Sequence, residues 1–191
     1  MELVTLATTL IAGEVSLQVI TRGLEAVGRL CAELKDAKEP CTRVYNRLVD
    51  IMKELNQLHD SGYLANEGAV ARYSKTLGEY MKSLDEYNKL SLVNRLIKSK
   101  TFMTQVENIH YDLDTLVTIL NIKSISADGE WKKKWEADQQ AQLGALKALV
   151  ESNAELAKEL SSVGPPRGVY RQLSEIFFLE TLKVAVQSSK S

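Results

Sequence analysis

Apolar side chains recur three and four positions apart along nearly the whole chain, and no stretch alternates with period two for long enough to make a strand. That periodicity leaves an all-α fold. In the first segment Leu3, Leu10, Leu17, Leu24 and Cys31 repeat every seven residues, and Leu6, Gly13, Ile20, Val27 and Leu34 fill the companion row. Two interleaved rows predict one helix over residues 3–36, about 50 Å long. Gly13, Gly23 and Gly28 each weaken it by about 1 kcal/mol relative to alanine, so a bend or break is expected near one of them.

Three more stripes follow. Cys41, Val44, Leu48, Ile51, Leu55 and Leu58 make the second, with Pro40 in its first turn and Gly62 at its end. Val70, Tyr73, Leu77, Tyr80, Leu84 and Tyr87 make the third, with Asn66 as N-cap. Phe102, Val106, Ile109, Leu113, Leu116 and Leu120 make the fourth, and residues 90–100 read as a hinge before it. Four stripes joined by short polar loops predict an antiparallel four-helix bundle over residues 1–125. Residues 126–191 then read as a two-helix brace packed on that bundle, its helices at about 130–161 and 168–187, parted by Gly164-Pro165-Pro166. The first brace helix carries a thin apolar edge at Leu146, Leu149, Asn153, Leu156 and Leu160.

Composition narrows the function. The 24 Lys and Arg balance 25 Asp and Glu, which speaks against a uniformly basic nucleic-acid binder. Two cysteines, Cys31 and Cys41, build neither a disulfide framework nor a zinc site, and read as small hydrophobes in a reducing cytosol. There is no Gly-rich phosphate loop, nucleophile elbow or kinase motif set, so no enzyme activity and no cofactor are expected. Glu107 and His110 form one Glu-x-x-His, half of what a di-metal bundle site needs. His59 follows Asn56 at the matching spacing, so no metal is expected and both histidines read as surface residues. No signal peptide and no run of about 18 apolar residues are evident, so a constitutive membrane span is not expected.

Three features remain. Trp131 and Trp135 flank three lysines on one helix face, which suits interfacial anchors and, more commonly, a seam holding a brace to its bundle. From Leu3 to Thr21 the only charged residue is Glu14, which suits the most buried bundle helix, or an inserting segment whose lone acid lines a shared lumen. Between Glu86 and Glu107 there is no acid, while Lys89, Arg95, Lys98 and Lys100 are basic. That window fits weak contact with an anionic leaflet or a solvated loop equally well.

The order of parts resembles the N-terminal killer domain of the mixed-lineage-kinase-domain-like necroptosis effector family and its HeLo-type relatives. The likeness is strongest at Cys41-Thr42-Arg43-Val44-Tyr45-Asn46-Arg47-Leu48, at residues 94–100 (Asn-Arg-Leu-Ile-Lys-Ser-Lys), at residues 113–121, and in the tryptophan that opens the brace. The resemblance implies a non-enzymatic cell-death or immune effector, cytoplasmic until activated. A kinase or nucleotide-binding domain then releases it to oligomerise at the plasma membrane, bind anionic lipid and permeabilise the bilayer. By the same analogy Arg22, Arg29, Arg43, Arg47, Lys98 and Lys100 are candidate lipid contacts, joined by Lys89 and Arg95 from the acid-free window. Leu3, Leu6, Leu10, Glu14 and Leu17 are the candidate inserting residues, and Trp131 and Trp135 the candidate brace contacts. The competing reading is a helical protein–protein module, of the kind found ahead of kinases and at the N-termini of plant immune receptors, with no membrane activity.

Overall fold

A computed structural model describes residues 3–13, 15–61, 67–122 and 130–152. All regular structure among them is helical: α1 (Leu3–Ala12), α2 (Leu17–Glu33), a 3-10 turn (Lys35–Ala37), α3 (Lys38–Asp60), α4 (Glu67–Asn88), α5 (Leu92–Ile119) and α6 (Glu130–Glu151). The Asn66 cap, Gly62 and the second brace helix lie outside the described residues.

The helix expected over residues 3–36 is two helices. Gly13 ends the first in the left-handed region, at φ 81°, a conformation that costs any residue with a Cβ about 1–2 kcal/mol. Its N–H donates to the Leu10 carbonyl at 3.1 Å, and Ser74 Oγ of α4 donates to the same oxygen at 2.8 Å. The last turn of α1 is thus closed by the glycine and by its neighbour. After the break the companion row keeps its place, with Ile20, Val27 and Leu34 all fully buried. Ile20, Ala26, Val27, Leu30 and Cys31 are buried on α2, while Leu17 and Leu24 are only half-buried.

The hinge expected over residues 90–100 is helix from Leu92 onward. Ser91 caps it by accepting from the Asn94 N–H, and neither proline nor glycine interrupts it. The inward positions of that stretch are Leu96 and Ser99, with Arg95 turned in beside them; two polar residues hid the stripe. At the far end Asn121, at φ 50°, closes α5: its N–H donates to Thr118 O and that of Ile122 to Val117 O, both at 3.1 Å. This is the paired C-terminal closure in which asparagine can replace glycine.

α4 packs against α1, α2 and α5, α3 against α2 and α5, and α6 against α5, α3 and the 3-10 turn. Two fully buried tyrosines of α4 cross the interior to carbonyls of α3. Tyr73 O–H donates to Leu48 O at 2.8 Å and Tyr80 O–H to Cys41 O at 3.1 Å. Their hydroxyls are satisfied inside a hydrophobic cluster built mainly of leucine, isoleucine, valine and methionine from α1 to α5, with Trp131 and Trp135 of α6 at its edge.

Candidate functional site

α6 is held by a polar seam. Its buried edge is Trp131, Trp135, Asp138, Gln142 and Leu146, spaced four, three, four and four residues apart. Leu149, expected on that edge, is exposed. Arg43 on α3 grips Asp138 with two hydrogen bonds of 2.7 Å each, and the Asp138 side chain is only 4% exposed. Gln142 Nε2 donates to the Tyr87 hydroxyl at 3.1 Å, which donates in turn to Asp36 Oδ2 at 3.0 Å. Arg95 pairs with the other oxygen of Asp36 at 3.0 Å and donates to the Asn88 carbonyl at 2.7 Å. The Asp36 carboxylate, 1% exposed, therefore has a charged partner and two satisfied oxygens, as a buried charge requires.

Where α6 begins, His110 of α5 is fully buried, not at the surface. Its ring stacks on Trp131 at 4.4 Å between centroids and meets Trp135 edge-on at 5.8 Å. Arg47 donates to His110 Nδ1 at 2.9 Å, to the His110 carbonyl and to Asp114, and Asp114 also accepts from Trp131 Nε1 at 3.2 Å. An arginine can only donate, so Nδ1 is the acceptor and the proton sits on Nε2, which has no partner among the described residues. Burial first, then the positive charges of Arg47 and Arg43, lower the His110 pKa from 6.5 to about 3. The imidazole is a neutral packing surface for Trp131, and among the described residues no cluster of ligating side chains could hold a metal.

This predicts a pH effect. Above pH 6.5 both the folded and the unfolded His110 are neutral and contribute nothing. Below it the unfolded chain takes up a proton that the folded chain refuses, so stability falls by about 1.4 kcal/mol per pH unit towards pH 3. His110→Phe keeps an aromatic face for Trp131 and removes this proton. Its urea midpoint should fall less steeply between neutral and acid pH than the wild type's; parallel curves would refute the assignment.

The eight candidate lipid-contacting cations divide into two groups. Arg43, Arg47 and Arg95 are part-buried and committed to Asp138, Asp114 and Asp36, and Lys89 pairs with Asp85 at 2.6 Å. Arg22 and Arg29 on α2, and Lys98 and Lys100 on α5, are exposed and form no ion pair with the described residues. Lys98 also overlooks a groove of about 480 Å³ between α4 and α5, floored by Tyr87, Leu90 and Phe102. Of the candidate inserting residues, Leu6 and Leu10 are buried, Leu3 and Leu17 half-buried, and Glu14 lies outside the described residues.

Asp36, His110, Asp138 and Gln142 were not legible as seam residues, because polar side chains at core positions break the apolar stripe that marks a buried face. The spacing of Trp131, Trp135 and Asp138 was the available signal.

Taken by its fold, the described chain is an all-α protein. No family model, curated protein or solved structure matches it.

Proposed function

We propose that the chain is a non-enzymatic cell-death or immune effector domain of HeLo type, which oligomerises on activation, binds anionic lipid and permeabilises membranes. In this reading α1 and α2 share the first place in an antiparallel four-helix bundle with α3, α4 and α5. The packing of α2 on α3, α3 on α5, α5 on α4 and α4 on α2 supports such a closed ring. α6 is then the first helix of the brace. A regulatory kinase or nucleotide-binding domain would release the assembly from the cytoplasm to the plasma membrane.

The observation that carries the proposal is α1. It has no charged residue from Leu3 to Ala12 and is jointed to α2 at Gly13. Thr8 and Thr9 donate to the carbonyls of Val4 and Thr5, at 2.9 and 2.8 Å, so those hydroxyls need no water. Among the described residues no helix is long and apolar enough to cross a membrane. Insertion therefore requires Gly13 to return to helical geometry, which would join α1 to α2 and place Glu14 on the lumen side of an assembly.

Exposed Arg22, Arg29, Lys98 and Lys100 are the lipid contacts this reading keeps. Each is worth about 1 kcal/mol near an anionic leaflet, or roughly fivefold in affinity. Dye release should need phosphatidylserine in the vesicles, fade as salt rises, and be nearly abolished by glutamine at all four positions. Absence of leakage, even from a variant with α1 loosened, would favour the association module.

A further inference from the structure

Cys31 lies in the last turn of α2 and Cys41 in the first turns of α3, on either side of the 3-10 turn, and the corner between them brings the Cys31 thiol against residue 41. Cys31 Sγ donates to the Cys41 carbonyl oxygen at 3.5 Å and lies 3.7 Å from the Tyr80 hydroxyl oxygen. Tyr80 O–H reaches the same Cys41 carbonyl at 3.1 Å, and both cysteines are buried and outside any disulfide. The pocket treats them unequally. Burial, with Cys31 beside it, pushes the Cys41 thiol up, so it keeps its proton. The Cys31 thiol is lowered, because its anion would accept from Cys41 S–H and from Tyr80 O–H, against the opposing effect of burial. One sulfur that ionises more readily, packed against the backbone of a cysteine whose own thiol stays protonated, is the arrangement of an attacking and a resolving thiol.

We propose that Cys31 and Cys41 are a peroxide-responsive dithiol that closes to an intrachain disulfide. The Cys31 thiolate attacks one oxygen of a hydroperoxide and the O–O bond breaks. This leaves a sulfenic acid on Cys31 and an alkoxide, which takes up the proton Cys31 released. The Cys41 sulfur then attacks Cys31 sulfur, the S–O bond breaks, and the departing hydroxide leaves as water with the proton of Cys41. Two thiols and one hydroperoxide give one disulfide, one alcohol (water when the oxidant is hydrogen peroxide) and one water. The sulfurs together lose two electrons and the peroxide gains them. Access comes by opening of the corner, where Leu34 ends α2 and starts the 3-10 turn with no side-chain capping hydrogen bond. The new bond would tie the end of α2 to the start of α3 and resist their separation.

The test is hydrogen peroxide on the folded full chain near neutral pH, read by intact mass under non-reducing conditions. Expected are the loss of two hydrogen atoms, a single peptide pair joining residues 31 and 41, and reversal by dithiothreitol. In Cys41→Ser the sulfenic acid should persist and take up dimedone at Cys31, while Cys31→Ser should leave Cys41 unlabelled. Circular dichroism checks that both variants fold, and the wild-type mass change depends on neither. Thiols that stay reduced until denaturant is added, a disulfide linking two copies, or equal dimedone labelling of the two variants would each overturn the proposal.

Discussion

Gly78→Val is expected to lift α1 off α4 while leaving α2 to α6 folded, and to make the protein leak vesicles that the parent leaves intact. A Cβ at Gly78 would lie 2.8 Å from the Ala7 carbonyl oxygen and 2.9 Å from both Leu10 Cβ and Ile11 Cγ1. The closest of these atoms is backbone, so the helix must move as a body. Overpacking of this kind costs about 3 kcal/mol. The opposing term is small. α1 buries Leu6, Ala7 and Leu10, and two buried leucines contribute about 5 kcal/mol before the entropy of ordering ten residues is set against them. Valine at position 78 therefore removes most of what holds α1 down. Hydrogen exchange should show loss of protection over residues 3–12 with α4 and α5 still protected. Both tryptophans of the chain lie in α6, so their fluorescence should not change. Protected α1 amides, or melting of the whole fold, would mean that α1 is not an independently docked segment. A freed α1 without leakage would count against the membrane reading.

The helical class was open to reading because periodicity is a property of nearly every segment, and errors in a few positions do not erase it. Helix limits were less legible, for reasons that can be named. Gly13, Gly23 and Gly28 looked alike in sequence, yet only Gly13 takes positive φ; Gly23 sits inside α2, where a Cβ would lie 2.6 Å from Leu10 Cδ1. One glycine is a joint and the other a close approach, and tertiary packing decides which. The start of α5 was hidden because Arg95 points inward to Asp36, some sixty residues away in sequence, and an inward arginine reads as solvated until its partner is known. His110 misled in the same way: its burial depends on Trp131 lying over it, a contact between helices. For the candidate cations, sequence supplies charge but not commitment. Arg22 and Arg43 are equivalent by composition, and only the fold shows that Arg43 is bound to Asp138.

That commitment gives the second large effect. Arg43→Ala should release α6 and cost about 3 kcal/mol of stability, because it leaves the nearly buried Asp138 carboxylate without its guanidinium. The converse change is milder. Asp138→Leu leaves behind Arg43, which is 31% exposed and can turn to water. If the loss in Arg43→Ala comes from the stranded carboxylate, the double variant Arg43→Met, Asp138→Leu should recover most of it, with a coupling of about 2 kcal/mol in the cycle. Arg43→Lys should recover little, since one ammonium cannot reproduce two parallel bonds to the two carboxylate oxygens. Trp131 and Trp135 are the chain's own reporters, 6% and 8% exposed when α6 is docked. Release should shift their emission to the red and open them to iodide quenching. A lipid-contact role predicts a different pattern: unchanged emission, unchanged urea midpoint, and a shallower salt dependence of vesicle binding. Arg43, one of the candidate lipid contacts by analogy, is thus expected to act through α6, and the salt dependence should follow Arg22, Arg29, Lys98 and Lys100 instead.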